Sequence, residues 1–196
     1  NGILSLYATD LDGDGDKDIL SASETDDRIS WYENINGSGT FNSEEAITTS
    51  AAGAKSVHAT DIDNDGDLDV FSASSDDDKI AWYENIDGLG SFGVQQIISI
   101  EADGAQSVYT TDIDGDGDMD VISSSLNDEK IAWYENTDGL GTFGQEQVIS
   151  DYMPGAFSVF ADDLNGNGNM DVFSTFDKTS AYYDQIVWFR NIDGQG

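Results

Sequence analysis

Four short segments of the chain carry Asp, or a mixture of Asp and Asn, at every second position. They read DLDGDGDKD (10–18), DIDNDGDLD (61–69), DIDGDGDMD (112–120) and DLNGNGNMD (163–171). Oxygen donors at positions 1, 3, 5 and 9, with Gly at position 6, suit a hard cation that takes six to eight oxygens at about 2.3–2.6 Å. The alternate spacing brings these oxygens to the inside of a tight turn, and Gly permits the positive-φ bend.

Calcium fits this donor set better than other metals do. Magnesium prefers few protein ligands and keeps its waters. Transition metals favour His or Cys, and the sequence has one His and no Cys. The segments hold 17 of the 40 acidic residues, which would repel one another without a cation. A plain acidic turn is also rich in Asp and Gly, but four copies in register favour a metal. We expect up to four Ca²⁺ ions, one per segment.

In the first segment we expect side-chain ligands from Asp10, Asp12, Asp14 and Asp18. Asp16 would contribute its backbone carbonyl, so that its side chain can face solvent, and water would complete the shell. The matching residues of the second and third segments are Asp61, Asp63, Asp65, Asp67 and Asp69, and Asp112, Asp114, Asp116, Asp118 and Asp120.

The fourth segment differs from the others in charge. Its candidate ligands are Asp163, Asn165, Asn167, Asn169 and Asp171. Because Asn oxygens coordinate without contributing charge, we expect this site to be the weakest and to empty first on chelation. None of the segments is a helix-loop-helix calcium hand, since position 12 is Ser in all four rather than the closing Glu.

The segments belong to a tandem repeat. Each begins 51 residues after the previous one, and Trp31, Trp82 and Trp133 follow their first Asp by 21 residues. Trp188 follows by 25, because residues 176–185 contain a four-residue insertion. We assign one repeat domain, 1–196, with repeats at 1–51, 52–102, 103–153 and 154–196.

The elements within one repeat are all strands. In the second repeat, residues 56–60, 70–73, 79–83 and 94–100 form short runs of β-branched and aromatic residues bounded by Gly, Asp, Asn or Ser. Four antiparallel strands per repeat is typical of a β-propeller blade. The last repeat stops before its fourth strand, so we favour four blades of a larger ring. A compact four-bladed ring, or two chains pairing into eight blades, are the alternatives.

The repeats resemble those of the FG-GAP/VCBS family along essentially the whole chain, through the motif Dx[DN]x[DN]G[DN]xD. The resemblance implies propeller blades with calcium between the first and second strands, and roles in adhesion, ligand binding or scaffolding. Some relatives are lectins. It also implies a secreted or cell-surface location, which agrees with modest-affinity loops that fill where calcium is millimolar.

Composition excludes several kinds of partner. The formal net charge of −33 disfavours nucleic acid and anionic membranes. There is no Cys for disulfides or thiolate sites, and no apolar run is long enough to span a membrane.

We find no catalytic constellation and expect a non-enzymatic protein. The repeated Trp-Tyr pairs could stack on sugars, but we assign them, and His58 in an aromatic position, to packing. The insertion, with Tyr182-Tyr183, is either a contact surface or a longer loop. We expect a calcium-stabilised extracellular module for adhesion or for an unidentified protein or glycan ligand. The alternative is an accessory domain of a larger secreted polysaccharide-active enzyme. Further blades of the same chain, or a second copy, are the other expected partners.

Overall fold

A computed structural model describes residues 2–177 and 184–196 as an all-β chain, with no helix in those ranges. The first two sheets contain β1 (Ile3–Thr9), β2 (Asp18–Ser23), β3 (Arg28–Tyr32) and β4 (Glu45–Thr48), then β5 (Ala54–Thr60), β6 (Asp69–Ser74), β7 (Lys79–Tyr83) and β8 (Gln96–Ser99). The next two contain β9 (Ala105–Thr111), β10 (Asp120–Ser125), β11 (Lys130–Tyr134) and β12 (Gln147–Ser150), then β13 (Ala156–Asp162), β14 (Asp171–Asp177) and β15 (Asp184–Phe189).

Each sheet is an antiparallel meander in chain order, and the fourth has three strands among the described residues. The expected all-β class and tandem antiparallel sheets are therefore confirmed. The fourth strand of the second sheet is shorter than the predicted run 94–100. The reason is that the chain first forms a separate bridge between Asn85 and Phe92, and Gly93 N–H bonds to the Glu84 carbonyl at 2.8 Å. Val94 then lies 84% exposed.

The hydrophobic core consists of three clusters, each shared by two successive sheets. The first strands pack side by side, β1 on β5, β5 on β9 and β9 on β13. Along them the rings of Tyr7, His58, Tyr109 and Phe160 form a column with centroids 4.7, 4.8 and 4.7 Å apart. The expectation that His58 fills an aromatic packing position is confirmed.

Successive sheets also interlock through Trp and Gly. Trp31 lies against Gly90 of the second sheet, where an added Cβ would come within 2.2 Å of the indole ring. Trp82 lies in the same way on Gly141, and Trp133 on Gly196. These three Trp side chains are 3–5% exposed, so their assignment to packing rather than sugar stacking is confirmed.

The four sheets do not close on themselves. On the first strand Leu6 is 64% exposed, and on the last strand Trp188 is 44% exposed, although both positions are buried at the internal junctions. The alternative of a compact four-bladed ring is therefore wrong, because closure would bury the first sheet against the fourth.

The insertion with Tyr182-Tyr183 lies outside the described residues, so its contact-surface hypothesis stays a prediction. In the described part of the chain, no helix is long and apolar enough to cross a membrane.

Candidate metal centre

Each Asp-rich segment is the loop between the first and second strands of its sheet. In the first three loops, carboxylate oxygens from positions 1, 3 and 9 lie within 4.8 Å of one another. These triads are Asp10, Asp12 and Asp18; Asp61, Asp63 and Asp69; and Asp112, Asp114 and Asp120.

Hydrogen bonds from backbone N–H groups to carboxylates two to five residues away set the bend of the loop. In the first loop, Asp10 Oδ2 accepts the N–H of Gly15 at 3.0 Å, and Asp12 Oδ1 accepts the N–H of Asp14 at 3.2 Å. Asp14 Oδ1 accepts the N–H of Asp16 at 2.8 Å. Gly15 has φ = 96°, a conformation that costs a side-chain-bearing residue about 1–2 kcal/mol. The alternating acids therefore shape the turn themselves.

The position-9 aspartate is a buried anchor of the loop. Asp69 is 1% exposed, and its Oδ2 accepts the N–H of Ile62 at 3.1 Å within the loop. Its Oδ1 accepts the N–H of Asn85, at the end of the third strand, at 2.9 Å. Burial raises the pKa of Asp69, and likewise that of Asp120, to about 7. This carboxylate therefore ties loop and strand together and is also one of the three members of the triad.

The first two loops contain a carboxylate oxygen with no partner. Asp10 Oδ1 and Asp61 Oδ1 are buried and accept no hydrogen bond. Leaving a buried acceptor unsatisfied costs about 1–3 kcal/mol, and more for a charged group. Burial also raises the pKa of the position-3 carboxyls Asp12 and Asp63. Three converging carboxylates, one with an unpaired buried oxygen, fit a bound calcium ion.

Positions 5 and 7 behave differently from the triad. The position-5 residue Asp14 is exposed and lies outside the group of three. The position-7 side chain of Asp16 was expected to face solvent, and that is wrong. Asp16 is half-buried against Gly37, where an added Cβ would come within 2.2 Å of its Oδ1. The position-7 side chain thus packs on the turn after the third strand.

The fourth loop satisfies its own polar groups. Asp163 accepts the N–H groups of Gly166, Asn167 and Gly168 at 2.7–3.0 Å, which hold the pKa of Asp163 below its usual value. Asn165 Nδ2 donates to Asp171 Oδ2 at 2.8 Å. This loop needs a cation less than the first two do.

One residue that holds the site together was not predicted from the sequence. Asn85 Nδ2 donates to the Leu11 carbonyl, in the loop of the preceding sheet, at 3.0 Å. Its Oδ1 accepts the N–H of Gly90 at 3.1 Å. The available signal was an Asn in the same register of every repeat, and the others are Asn34, Asn136 and Asn191.

A family model described as an FG-GAP-like repeat matches residues 10–72 and 61–123. No curated protein matches the chain.

Among solved structures, the chain is similar to an Agrocybe aegerita lectin described as recognising non-reducing terminal N-acetylglucosamine (TM-score 0.60, 18% identity, 93% of this chain and 51% of the lectin). It is also similar to the V. cholerae biofilm matrix protein Bap1 (TM-score 0.56, 18% identity, 97% of this chain and 27% of Bap1). A third similar structure is the NanB sialidase of Streptococcus pneumoniae (TM-score 0.63, 16% identity, 96% of this chain and 31% of the sialidase). The chain therefore spans about half of the first structure and under a third of the other two.

Proposed function

Because the chain belongs to the FG-GAP-like repeat family, we propose that it is a calcium-binding β-propeller module without catalytic activity. Each sheet would be one blade. The loop between its first two strands would hold Ca²⁺ through positions 1, 3 and 9, with oxygens of positions 5 and 7 and water completing the shell. Bound calcium would supply positive charge that offsets the carboxylates.

The observation that carries this proposal is the unpaired, buried Oδ1 of Asp10 and of Asp61 inside an Asp triad. In the first and second loops, each of the three triad carboxylates accepts at least one backbone hydrogen bond, and one oxygen, Oδ1 of the position-1 Asp, has no donor. That arrangement suits a cation, because the loop's own backbone hydrogen bonds hold these oxygens on the inside of the bend. The loops lack the closing Glu of high-affinity sites, so they would fill where calcium is millimolar, which supports an extracellular location.

Calorimetric titration of calcium into chelator-treated protein tests the proposal. We expect the fourth loop to bind more weakly than the first three. Asp61→Ala should lower the number of tightly bound ions by one, because it removes the unpaired oxygen. The matched control is Asp151→Ala, at an exposed position outside the loops, which should leave the stoichiometry unchanged. Protein that takes up no calcium at millimolar concentration would overturn the proposal.

A glycan is the ligand class that we propose for this module. An open groove of about 470 Å³ runs along the first strands of the four sheets (β1, β5, β9 and β13), and Tyr7, His58, Tyr109 and Phe160 are among the residues that line it. Aromatic rings offer apolar faces on which sugar rings pack. The similar lectin, biofilm matrix protein and sialidase share this fold, and the comparison supports the ligand class only by analogy.

A glycan array, probed once with calcium and once with a chelator, tests the ligand class. Binding that Tyr109→Ala abolishes would support the groove. The matched control is Tyr152→Ala, at a position 73% exposed and outside the groove. Absence of binding in both conditions would favour a protein ligand or a scaffold. The alternative, an accessory domain of a larger polysaccharide-active enzyme, would then have to be tested with a longer chain.

A further inference from the structure

A buried Asn follows the third strand of the second, third and fourth sheets, two residues after the strand ends. These residues are Asn85, Asn136 and Asn191. An Asn side chain offers two N–H donors and one acceptor oxygen, and its backbone adds a further donor. Buried polar groups of this kind need partners. Here the partners lie in two different Asp-rich loops, which we call the metal loops and number from the first sheet to the fourth.

Asn136 bridges the second and third metal loops. Its Nδ2 donates to the carbonyl of Ile62 in the second loop at 2.9 Å and to that of Met119 in the third loop at 3.2 Å. Its backbone N–H donates to Oδ1 of Asp120, a member of the third triad, at 2.8 Å. Its Oδ1 accepts the N–H of Gly141 at 3.1 Å. One residue with no exposed surface therefore holds two neighbouring loops.

The carbonyl that Asn136 binds lies within the second triad. Ile62 is fully buried and stands between Asp61 and Asp63, which are two members of that triad. The N–H of Ile62 donates to Oδ2 of Asp69, the third member, at 3.1 Å. Because Ile62 is tied to its own triad and to Asn136, a shift of the second triad strains the bonds of Asn136.

The same bonds recur at the other two junctions between sheets, with distances of 2.7–3.0 Å. Each series runs from a carbonyl at position 2 of one loop, through an Asn, to the aspartate at position 9 of the next loop. The two series are Leu11, Asn85 and Asp69, and Ile113, Asn191 and Asp171. We call the three Asn residues, with the position-2 and position-9 residues that they bind, the Asn relay. It passes through all four metal loops.

The second and third loops have an additional contact. Asn64, at position 4 of the second loop, donates from Nδ2 to the Gly139 carbonyl at 3.1 Å and to Oδ1 of Asp118, at position 7 of the third loop, at 3.3 Å. Position 4 is Gly in the other three loops. Among the described contacts, this pair of loops is therefore connected both inside the protein and at its surface.

We propose that the Asn relay makes calcium binding cooperative between neighbouring loops, with Asn136 and Asn64 coupling the second loop to the third, an inference that rests on the proposed function. Ordering of one loop around its ion fixes the position-2 residue, and the relay restrains the next triad. The next ion then binds a loop that needs less ordering. Direct repulsion between the ions acts in the opposite sense, and salt screens it.

An NMR titration of calcium into the chelator-treated, ¹⁵N-labelled 196-residue chain tests the proposal, at an ionic strength of about 0.15 M. The N–H groups of Gly66 and Gly117 each donate to the position-1 Asp of their own loop at 3.1 Å, so their signals report the second and third loops separately. In the wild type we expect both signals to shift together, along a curve steeper than that of a single site. Asn136→Leu removes the Nδ2 donors and should give two separate single-site curves.

Emptying one loop measures the coupling at the other. Asp61→Ala should lower the calcium affinity of the third loop by about 5-fold or more. In an Asn136→Leu background, the same substitution should leave the affinity of the third loop unchanged. Because coupling between two binding sites is reciprocal, Asp112→Ala should lower the affinity of the second loop by the same factor.

Asn34→Leu is the matched control. Asn34 occupies the equivalent position in the first sheet, donates to the Lys17 carbonyl of its own loop and to Asp18, and accepts the N–H of Gly39. Its replacement should weaken the first site and leave the coupling of the second and third loops unchanged. Far-UV circular dichroism checks that each variant is folded. Asn64→Gly is the milder second variant, because it introduces the residue of the other loops, and it should reduce the coupling in part.

Two results would overturn the proposal. One is a wild-type chain in which the loops bind calcium independently, which would leave the proposed function standing. The other is coupling of wild-type size in folded Asn136→Leu, or in Asn64→Gly if Asn136→Leu does not fold. A chain that takes up no calcium at all would instead overturn the proposed function itself, so the two failures are distinguishable.

Discussion

Asp69 Oδ1 accepts the backbone N–H of Asn85 at 2.9 Å, which joins the metal loop to the end of the third strand of the same sheet. The same bond occurs from Asn34 to Asp18 and from Asn136 to Asp120, both at 2.8 Å. The aspartate at position 9 of the loop therefore has a structural role that does not depend on metal binding.

Asp69→Asn should destabilise the calcium-free protein by about 1–3 kcal/mol, because the amide NH₂ would face a backbone donor and leave it unsatisfied. Urea unfolding in chelator measures this. Asp65→Asn is the matched control, since Asp65 is exposed and keeps an acceptor oxygen for its bond from Asp67 N–H. Equal effects of the two substitutions would contradict the anchor role.

Gly141→Ala should cost more stability than its backbone conformation alone explains. Gly141 has φ = 79°, and its Cβ would come within 2.5 Å of Trp82. We expect about 1–2 kcal/mol from the backbone and a further ~1–3 kcal/mol from overpacking. Gly166→Ala, with φ = 73° and nothing within 4 Å, should show the backbone cost only. Chemical denaturation in chelator compares the two, and equal losses would count against the interlock.

His58, the single His of the chain, should titrate with a pKa of about 4, because burial disfavours its charged form. Because the imidazole is protonated more readily in the unfolded chain than in the folded one, stability is complete above about pH 6.5 and is lost as the pH falls towards 4. His58→Phe should therefore be more stable than wild type at pH 5, by on the order of 2 kcal/mol. The NMR shifts of the one imidazole report the pKa directly, and a value near 6.5 would refute its burial.

The calcium-free protein should lose stability as pH rises from about 4 through 7. The folded pKa values of Asp69 and Asp120 are about 7, above the unfolded value of about 3.9. Their contribution is complete below the unfolded pKa and disappears as pH passes the folded one. Calcium should reverse the trend, since it binds the deprotonated carboxylates.

Thermal melts across this pH range, with and without chelator, measure both trends. The His58→Phe background removes the opposing imidazole titration. Asp69→Asn combined with Asp120→Asn should make the calcium-free profile less steep, leaving the repulsion of the net charge and the contributions of Asp12, Asp63 and Asp114, whose pKa values burial also raises. Stability that rises with pH in chelator would show that these carboxyls are not the buried acids described above.

The sequence by itself determined the repeat, the strand class and the position of the loops. Alternating Asp, the recurrent Trp and the Gly-containing turns are local patterns with a fixed period, so each can be read without knowing which sheets meet. The same local chemistry identified the fourth loop as different, because Asn in place of Asp is visible directly.

Only the tertiary structure decided which acids converge and which faces stay open. Asp14 and Asp18 are equally spaced candidates in the sequence, yet Asp18 is buried because Leu11 and Asn34 donate to it from two segments, while Asp14 is exposed. The Trp31–Gly90 contact joins residues of two successive repeats. Burial and packing depend on neighbours that are distant along the chain, and a local pattern does not specify them.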